Sequence, residues 1–432
     1  MTDALRIAIA GLGTVGVGTL ELLARQGDLL AVRCGRPFAV TAVSARNRDR
    51  DRGIDLSGYQ WYDDAVEMAR SAEADIVIEL IGGSDGPARA VTEAAIAAGR
   101  HVVTANKALI ALHGTELAEM AEAAKVTLAF EAAVAGAIPV VRSIREGLAG
   151  NRISRLHGIL NGTCNYILTT MRETGRSFED VLAEAQALGY AEADPSFDID
   201  GVDTAHKLAI LASLAFGGRV DFAGVHVEGI RRITAQDIAC AEELGYRIKL
   251  LGSAEMTPDG LRQRVHPAMV PVNAPIASVE GVLNAVEAES DFAGPTIMEG
   301  RGAGAGPTAS AVVGDLVDIA CGRVTPTFGV PVAALAALAT APMDRYAGPY
   351  YVRIMVYDKP GVFADVAAIL RDHEISMESV MQRARSETEA VPVVLTTHET
   401  RESSMMKALE AIAALPSVQA PPSVIRIEQF QG

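Results

Sequence analysis

Short apolar runs and helical periods alternate through the first third of the chain. Residues 6–10 form an apolar run that stops at Gly11 and read as a buried parallel strand. The spacing of Val15, Leu20, Leu22 and Leu23 predicts a helix over 14–25. Further strands are predicted over 38–43, 75–79, 101–104 and 127–131. Helices are predicted over 87–98, with Pro87 in its first turn, and over 114–125. This alternation predicts a Rossmann-type parallel α/β sheet over residues 1–135.

The rhythm changes after residue 135. Strands are predicted over 153–160, 246–251, 262–270 and 284–288, and helices over 178–188, 203–216 and 234–244, without βαβ alternation. A glycine-rich loop at 300–306 precedes a helix at 308–320. Residues 136–322 therefore read as a central α+β domain for catalysis and dimerisation. A connector, 323–348, follows. The uncharged stretch 324–343 is long enough to span a membrane, but Pro326, Gly329, Pro331 and Pro342 break it, so it reads as a buried connector. Strands at 350–357, 375–384, 390–397 and 424–429, with helices at 362–373 and 403–415, predict a ferredoxin-like βαββαβ unit over 349–430.

The chain of 432 residues carries 38 Lys and Arg against 54 Asp and Glu, a net charge of −16, which argues against nucleic acid or anionic lipid as partner. Cys34, Cys164, Cys240 and Cys321 are far apart and imply reduced thiols in the cytosol. The start of the chain shows no signal-peptide pattern and runs into a strand, and the whole is expected to be soluble. The histidines lack metal-ligand spacing, so no catalytic zinc is expected.

Gly11-Leu-Gly13-Thr-Val-Gly16 lies between the first strand and the first helix, where a dinucleotide pyrophosphate meets free backbone amides. Gly11, Gly13, Thr14, Val15 and Gly16 are the candidate contacts. An acid at the end of the second strand normally selects NAD. Here the chain reads Val43-Ser-Ala-Arg46-Asn-Arg48, and Arg46 suits the 2′-phosphate of NADP. A solvated loop arginine is the alternative. Five acids fall between Glu192 and Asp203, and Lys207 follows Asp203 by one helical turn. Lys207 enters an apolar helix, where burial lowers a lysine's pKa toward acid–base use. A charged loop with an ordinary ion pair would look the same.

With Thr104-Ala-Asn106-Lys107, Asn161-Gly-Thr-Cys-Asn165-Tyr166 and Ala185-x-x-x-Gly189-Tyr-x-Glu192, these motifs resemble homoserine dehydrogenase over most of residues 5–320. The resemblance implies interconversion of L-aspartate 4-semialdehyde and L-homoserine with NADP or NAD, in the cytoplasm, by a homodimer or homotetramer. It implies Lys207 as proton donor, Glu192 and Asp203 as substrate-binding acids, and Lys107 beside nicotinamide and substrate. It further implies a monovalent cation, usually sodium, at Glu131, Val134, Gly136 and Ile138, and a second cofactor contact at Gly302 and Gly304. The segment from Tyr350 resembles an ACT domain, carried by Asp358-Lys-Pro-Gly361-Val-Phe363 and Ile375-Ser-Met-Glu-Ser379-Val-Met-Gln382. That implies feedback by an amino acid, most often L-threonine, with a dimerisation module as the alternative. Two rival readings are an aspartate-semialdehyde dehydrogenase using Cys164 and a non-catalytic amino-acid sensor.

Overall fold

A computed structural model describes residues 3–382, 386 and 389–430. The first layer holds β1 (Leu5–Ala10), α1 (Thr14–Cys34), β2 (Phe38–Ser44), β3 (Gln60–Tyr62), α2 (Ala65–Ser71), β4 (Ile76–Glu79), α3 (Pro87–Ala97), β5 (His101–Thr104), α4 (Lys107–Ala124) and β6 (Leu128–Ala129). Its six strands are all parallel, in the order β3-β2-β1-β4-β5-β6. The order reverses between β1 and β4, which opens a crevice at their carboxyl ends. Ile7, Ile9, Ile76 and Ile78 are fully buried in this sheet, as expected for strands covered on both faces.

Several boundaries differ from expectation. α1 runs on to Cys34 because Leu30 is buried and extends its apolar face. β3 and α2 went unanticipated, since a strand of three residues has no readable period. α4 starts at Lys107 rather than 114. Asn106 caps it by accepting from the Leu109 amide at 3.1 Å. Gly114 interrupts the apolar pattern there, and a Cβ on it would crowd Ile110 at 3.0 Å and Phe328 at 3.1 Å. β6 ends at Ala129, and Glu131 opens a 3₁₀ turn, Glu131–Ala133, instead of ending a strand.

The central region follows as α5 (Val140–Arg142), β7 (Ile153–Ile159), α6 (Gly162–Thr174), α7 (Phe178–Ala187), α8 (Ser196–Ile199), α9 (Val202–Phe216), β8 (Val225–Val227), α10 (Ala235–Glu243), β9 (Tyr246–Thr257), β10 (Gly260–Pro271), β11 (Leu283–Ser290), β12 (Gly294–Arg301) and α11 (Ala305–Ala320). α6 is capped by Asn161, whose side chain accepts from the Cys164 amide at 2.8 Å. β12 occupies ground expected to be loop, and the glycine loop begins only after Arg301. Here β12-β11-β7-β9-β10 form an antiparallel sheet. α11 leaves it and returns to the first layer, where Val312 and Leu316 share a core with Leu5, Ile7 and Ile9.

The connector is a strap rather than a buried segment. Phe328, Val332 and Leu335 are inward, whereas Val324 is 74% exposed. Beyond it come β13 (Ala347–Gly348), β14 (Tyr350–Val356), α12 (Val362–Asp372), β15 (Met377–Gln382), β16 (Val391–Thr397), β17 (Thr400–Arg401), α13 (Glu402–Ala413) and β18 (Ser423–Ile427). The predicted strand 375–384 is observed over 377–382, and positions 383 and 384 lie outside the described residues. The order β18-β14-β16-β15 is ferredoxin-like. β18 also pairs in parallel with β10, so the C-terminal sheet continues the central one.

Candidate active site

Gly201 (φ +87°) frees the turn that starts α9 and places Asp203 in its first helical turn. Lys207 lies one turn on, and the two meet as an i,i+4 pair. Its Nζ is 2.7 Å from Asp203 Oδ2 and donates to the Leu160 carbonyl at 2.6 Å. From the start of α4, Lys107 Nζ reaches Asp203 Oδ1 at 2.8 Å. Asn161 donates to Asp203 at 2.9 Å and to Asp198 at 2.8 Å. Thus loop, helix and sheet ends bring two ammonium groups onto one carboxylate that is only 2% exposed.

The electrostatics follow from that count. Burial works against the Asp203 anion, but Lys207 and Lys107 outweigh it and hold its pKa far below the ordinary carboxylate value. Burial is the largest influence on Lys207; Asp203 pulls the other way, and the net pKa is lowered. For Lys107, burial is outweighed by Asp203, helped by Asp198 and Glu192, and the pKa rises. The arrangement can offer a proton to a developing oxyanion.

Sequence reasoning singled out Glu192, which sits exposed at the rim, close enough for its charge to act on Lys107. It passed over Asp198, which α8 brings to Asn161 and Thr163, and whose pKa is raised by burial and by Asp203. It also passed over Glu79. That buried carboxylate accepts from Thr104 Oγ1 at 2.7 Å and the Ile81 amide at 2.6 Å. Thr104 Oγ1 in turn accepts from the Asn106 amide, so Glu79 fixes the turn that carries Lys107. Its only sequence signal was an acid at the end of an apolar strand.

The nucleotide side of the crevice is a cavity of about 660 Å³ lined by Gly11, Gly13, Ser44, Arg46, Arg50 and Arg52, among others. A Cβ on Gly11 would lie 2.4 Å from the Leu80 carbonyl oxygen, and one on Gly16 would lie 2.1 Å from that of Gly11. Gly13 has open space above it, so a pyrophosphate can approach the N-terminus of α1 where Thr14 and Val15 begin the helix. Arg52 is spent on the carbonyls of Leu12 and Arg50. Among the described residues Arg46 and Arg50 make no ion pair, and both line the cavity. The donor set fits a dinucleotide.

The second glycine loop lies beside α1, where a Cβ on Gly18 would be 3.1 Å from the Ala305 carbonyl oxygen. A Cβ on Gly302 would overlap Asn284, and Gly304 (φ +119°) precedes α11. Gly136 packs against Gly302, which brings the 131–138 loop alongside. Glu131 accepts from the Val141 and Arg142 amides, each at 2.9 Å. Its carboxylate thus caps α5, and in the same loop the Ile138 carbonyl accepts from the Val140 amide at 2.7 Å. Cys164 is fully buried with its thiol against the Asp198 carbonyl, and burial pushes its pKa well up, opposite to what a nucleophile needs. In the C-terminal unit, Gly361 (φ +95°) precedes α12, and Asp358, Gly361, Phe363 and Gln382 line a cavity of about 130 Å³.

Comparison with known proteins agrees with this geometry. Residues 139–317 match the family model for homoserine dehydrogenase, 11–131 its NAD binding domain, and 350–414 the ACT domain. The homoserine dehydrogenase of Pseudomonas aeruginosa is 46% identical, covering 98% of this chain and 99% of its own length. That of Neisseria gonorrhoeae is 43% identical, with 98% of each covered. The crystal structure of a homoserine dehydrogenase from Thiobacillus denitrificans superposes with a TM-score of 0.93 at 44% identity, over 99% of both chains. A hyperthermophilic archaeal homoserine dehydrogenase in complex with NADPH matches at 27% identity and a TM-score of 0.65, over 76% of this chain and all of its own. The chain belongs to the homoserine dehydrogenase family of NAD(P)-dependent oxidoreductases and carries a C-terminal ACT domain.

Proposed function

We propose that this chain interconverts L-aspartate 4-semialdehyde and L-homoserine in threonine, methionine and isoleucine biosynthesis, with Lys207 moving the proton at the substrate oxygen. The observation that carries this is Asp203, one buried carboxylate shared by two ammonium groups. The nicotinamide, when bound, supplies or accepts the hydride. Lys207 gives its proton to the aldehyde oxygen as negative charge develops there, and its lowered pKa eases that transfer. Asp203 and the Leu160 carbonyl hold Lys207 in place, and Asn161 holds Asp203. Lys107 orients the substrate and the nicotinamide end. Glu192, Asp203 and Asp198 provide the negative charge that a substrate ammonium group needs. The buried, raised-pKa thiol of Cys164 disfavours aspartate-semialdehyde dehydrogenase chemistry, and the assembled lysines disfavour a sensor without catalysis. Homoserine-dependent reduction of NADP⁺ and NAD⁺ by the full chain tests the reading; absence of turnover with both overturns it.

The finer assignments rest on the same geometry. NADP is favoured because Arg46, with Arg50, lines the cavity at the end of β2, and the archaeal relative's complex holds NADPH. Gly302 and Gly304 supply the second cofactor contact. Sodium is held at Glu131 and by backbone oxygens of Val134, Gly136 and Ile138; turnover in sodium against tetramethylammonium tests it. L-Threonine binds at the Asp358–Gly361 turn and inhibits by favouring one conformational state. Ending the chain near Pro342 would remove β18 from β10 and Glu428 from Arg264, so Gly361→Ala in the intact chain is the cleaner test. Loss of threonine inhibition without loss of basal rate is expected. The working form is a homodimer or homotetramer in the cytoplasm.

A further inference from the structure

α1 and α11 run side by side from the crevice. Near their starts, a Cβ on Gly18 would lie 3.1 Å from the Ala305 carbonyl oxygen, so the two backbones almost touch. Gly18 to Cys34 is sixteen residues (34 − 18), and Ala305 to Cys321 is also sixteen (321 − 305). Parallel helices in contact at one end and equal in length must bring those cysteines together about 24 Å away. They do meet. The Cys321 thiol lies 3.9 Å from the carbonyl oxygen of Arg33, the residue before Cys34, and the two thiols are near enough for one to act on the ionisation of the other. Cys34 is the last residue of α1, and Cys321 caps α11.

The setting suits exchange chemistry. Cys321 is exposed and Cys34 is half-buried, so one thiol is open to a reagent and the other shielded behind it. Arg323 stands close enough for its charge to act on both thiols, and Arg33 acts on Cys34. Positive charge favours the thiolate that attacks. Burial and the neighbouring thiol raise the Cys34 pKa, and exposure makes Cys321 the first attacker. By contrast, Cys164 is sealed in the core, and Cys240 is half-buried on α10 near Tyr351.

We propose that Cys34 and Cys321 are a dithiol modification site, which a small-molecule disulfide such as oxidised glutathione converts to an intrachain disulfide joining α1 to α11. The Cys321 thiolate attacks one glutathione sulfur, forming a mixed disulfide and expelling one glutathione thiolate. The Cys34 thiolate then attacks the Cys321 sulfur, forming the protein disulfide and expelling the second glutathione. The two protein protons end on the two glutathiones, and the two electrons reduce the glutathione disulfide. The bond would tie together the helices whose N-termini carry both glycine loops, locking α11 onto the nucleotide-binding sheet. In a reducing compartment such a bond is transient and senses oxidation.

The test uses the full chain equilibrated with glutathione buffers of rising disulfide content, then quenched with iodoacetamide and analysed by peptide mass spectrometry and non-reducing electrophoresis. The expected result is a Cys34–Cys321 linked peptide and an unchanged single-chain band. Cys164 and Cys240 should stay alkylatable after denaturation, and the melting temperature should rise by several degrees, reversibly with dithiothreitol. Cys321→Ser should abolish both the linked peptide and the rise; Cys34→Ser should stop the reaction at a glutathione adduct on Cys321. Three outcomes overturn the proposal: no linkage in fully oxidised buffer, a persistent adduct on Cys321 in the unsubstituted chain, or a crosslink between chains through Cys321.

Discussion

Two regions bury several charges, and they do so in opposite ways. At the active site, Lys107 and Lys207 share the single carboxylate of Asp203. At the junction between the central and ACT sheets, Arg264 and Arg426 each meet two acids, one of which, Glu255, also serves Arg262 and Arg155. Arg264 reaches both oxygens of Glu428 at 2.8 and 2.9 Å and Glu255 at 2.9 Å. Arg426 is held by Glu228 and Glu402, and Arg353 by both oxygens of Asp237. Lysine is a compact charge whose pKa moves readily on burial; arginine stays charged and binds carboxylates through a planar fork. The active-site cluster is built from the residue that can release a proton, and the junction from the residue that cannot. A charge that can release its proton marks the place of chemistry, and a charge that cannot marks the place of assembly.

The largest break in that contrast comes from Lys207→Ala. It should lower kcat by about two to four orders of magnitude. Cofactor affinity, read by fluorescence titration, should hold nearly constant. Lys207→Arg should recover little, because a guanidinium does not release its proton. A kcat within a few-fold of the parent would remove Lys207 from the reaction. In the unsubstituted enzyme, aldehyde reduction should fall off as pH rises past the Lys207 pKa, at a pH below the ordinary lysine range.

At the junction the effect should be on stability. Arg264→Met strands Glu428 and should cost about 3–5 kcal/mol by denaturant unfolding, whereas Arg264→Met with Glu428→Met should recover most of it. The kcat of the folded protein should not change. If the single and double variants are equally unstable, the pair is not what holds the sheets together.

Arg46 sharpens the comparison, being an arginine whose acid would be the cofactor's own phosphate. A charged hydrogen bond is worth about 1.5–3 kcal/mol, so Arg46→Ala should raise KM for NADPH about tenfold or more and leave that for NADH nearly alone. Equal changes for both cofactors would deny it the phosphate.

The last effect, on stability against pH, belongs to Asp315. Burial, then the charge of Glu131, pushes its pKa up to about 8. Between the unfolded value near 4 and about 8, the folded chain keeps a proton that the unfolded chain has lost. Stability from this group therefore falls as pH rises across that window. Asp315→Asn should flatten the drop in melting temperature between pH 5.5 and 8.5; an unchanged slope would mean that Asp315 is ionised in the fold.

The elements most legible in the sequence were those with a local cause. The apolar runs at 6–10 and 101–104 matched strands that are covered on both faces. Gly11, Gly13 and Gly16 matched a turn in which two of the three positions have no room for a side chain. Lys207 and Asp203 were one turn apart on a helix that could be read from its apolar period. The start of α4 was hidden because His113 and Gly114 interrupt that period, and a Cβ on Gly114 would crowd Phe328, more than two hundred residues away. Glu79 and Asp198 were hidden because their partners lie on other elements.

The sequence by itself determined the layers, the glycine loops, the acidic segment leading to Lys207 and the family, since each depends on neighbours within a few residues, or on motifs that survive as strings. Only the tertiary structure decided that Lys107 would join Lys207 on Asp203, and that β18 would extend the central sheet through β10. It alone brought Cys34 to Cys321. Those pairings depend on where separate elements are set down against one another by burial and backbone hydrogen bonding, and no local period records that distance.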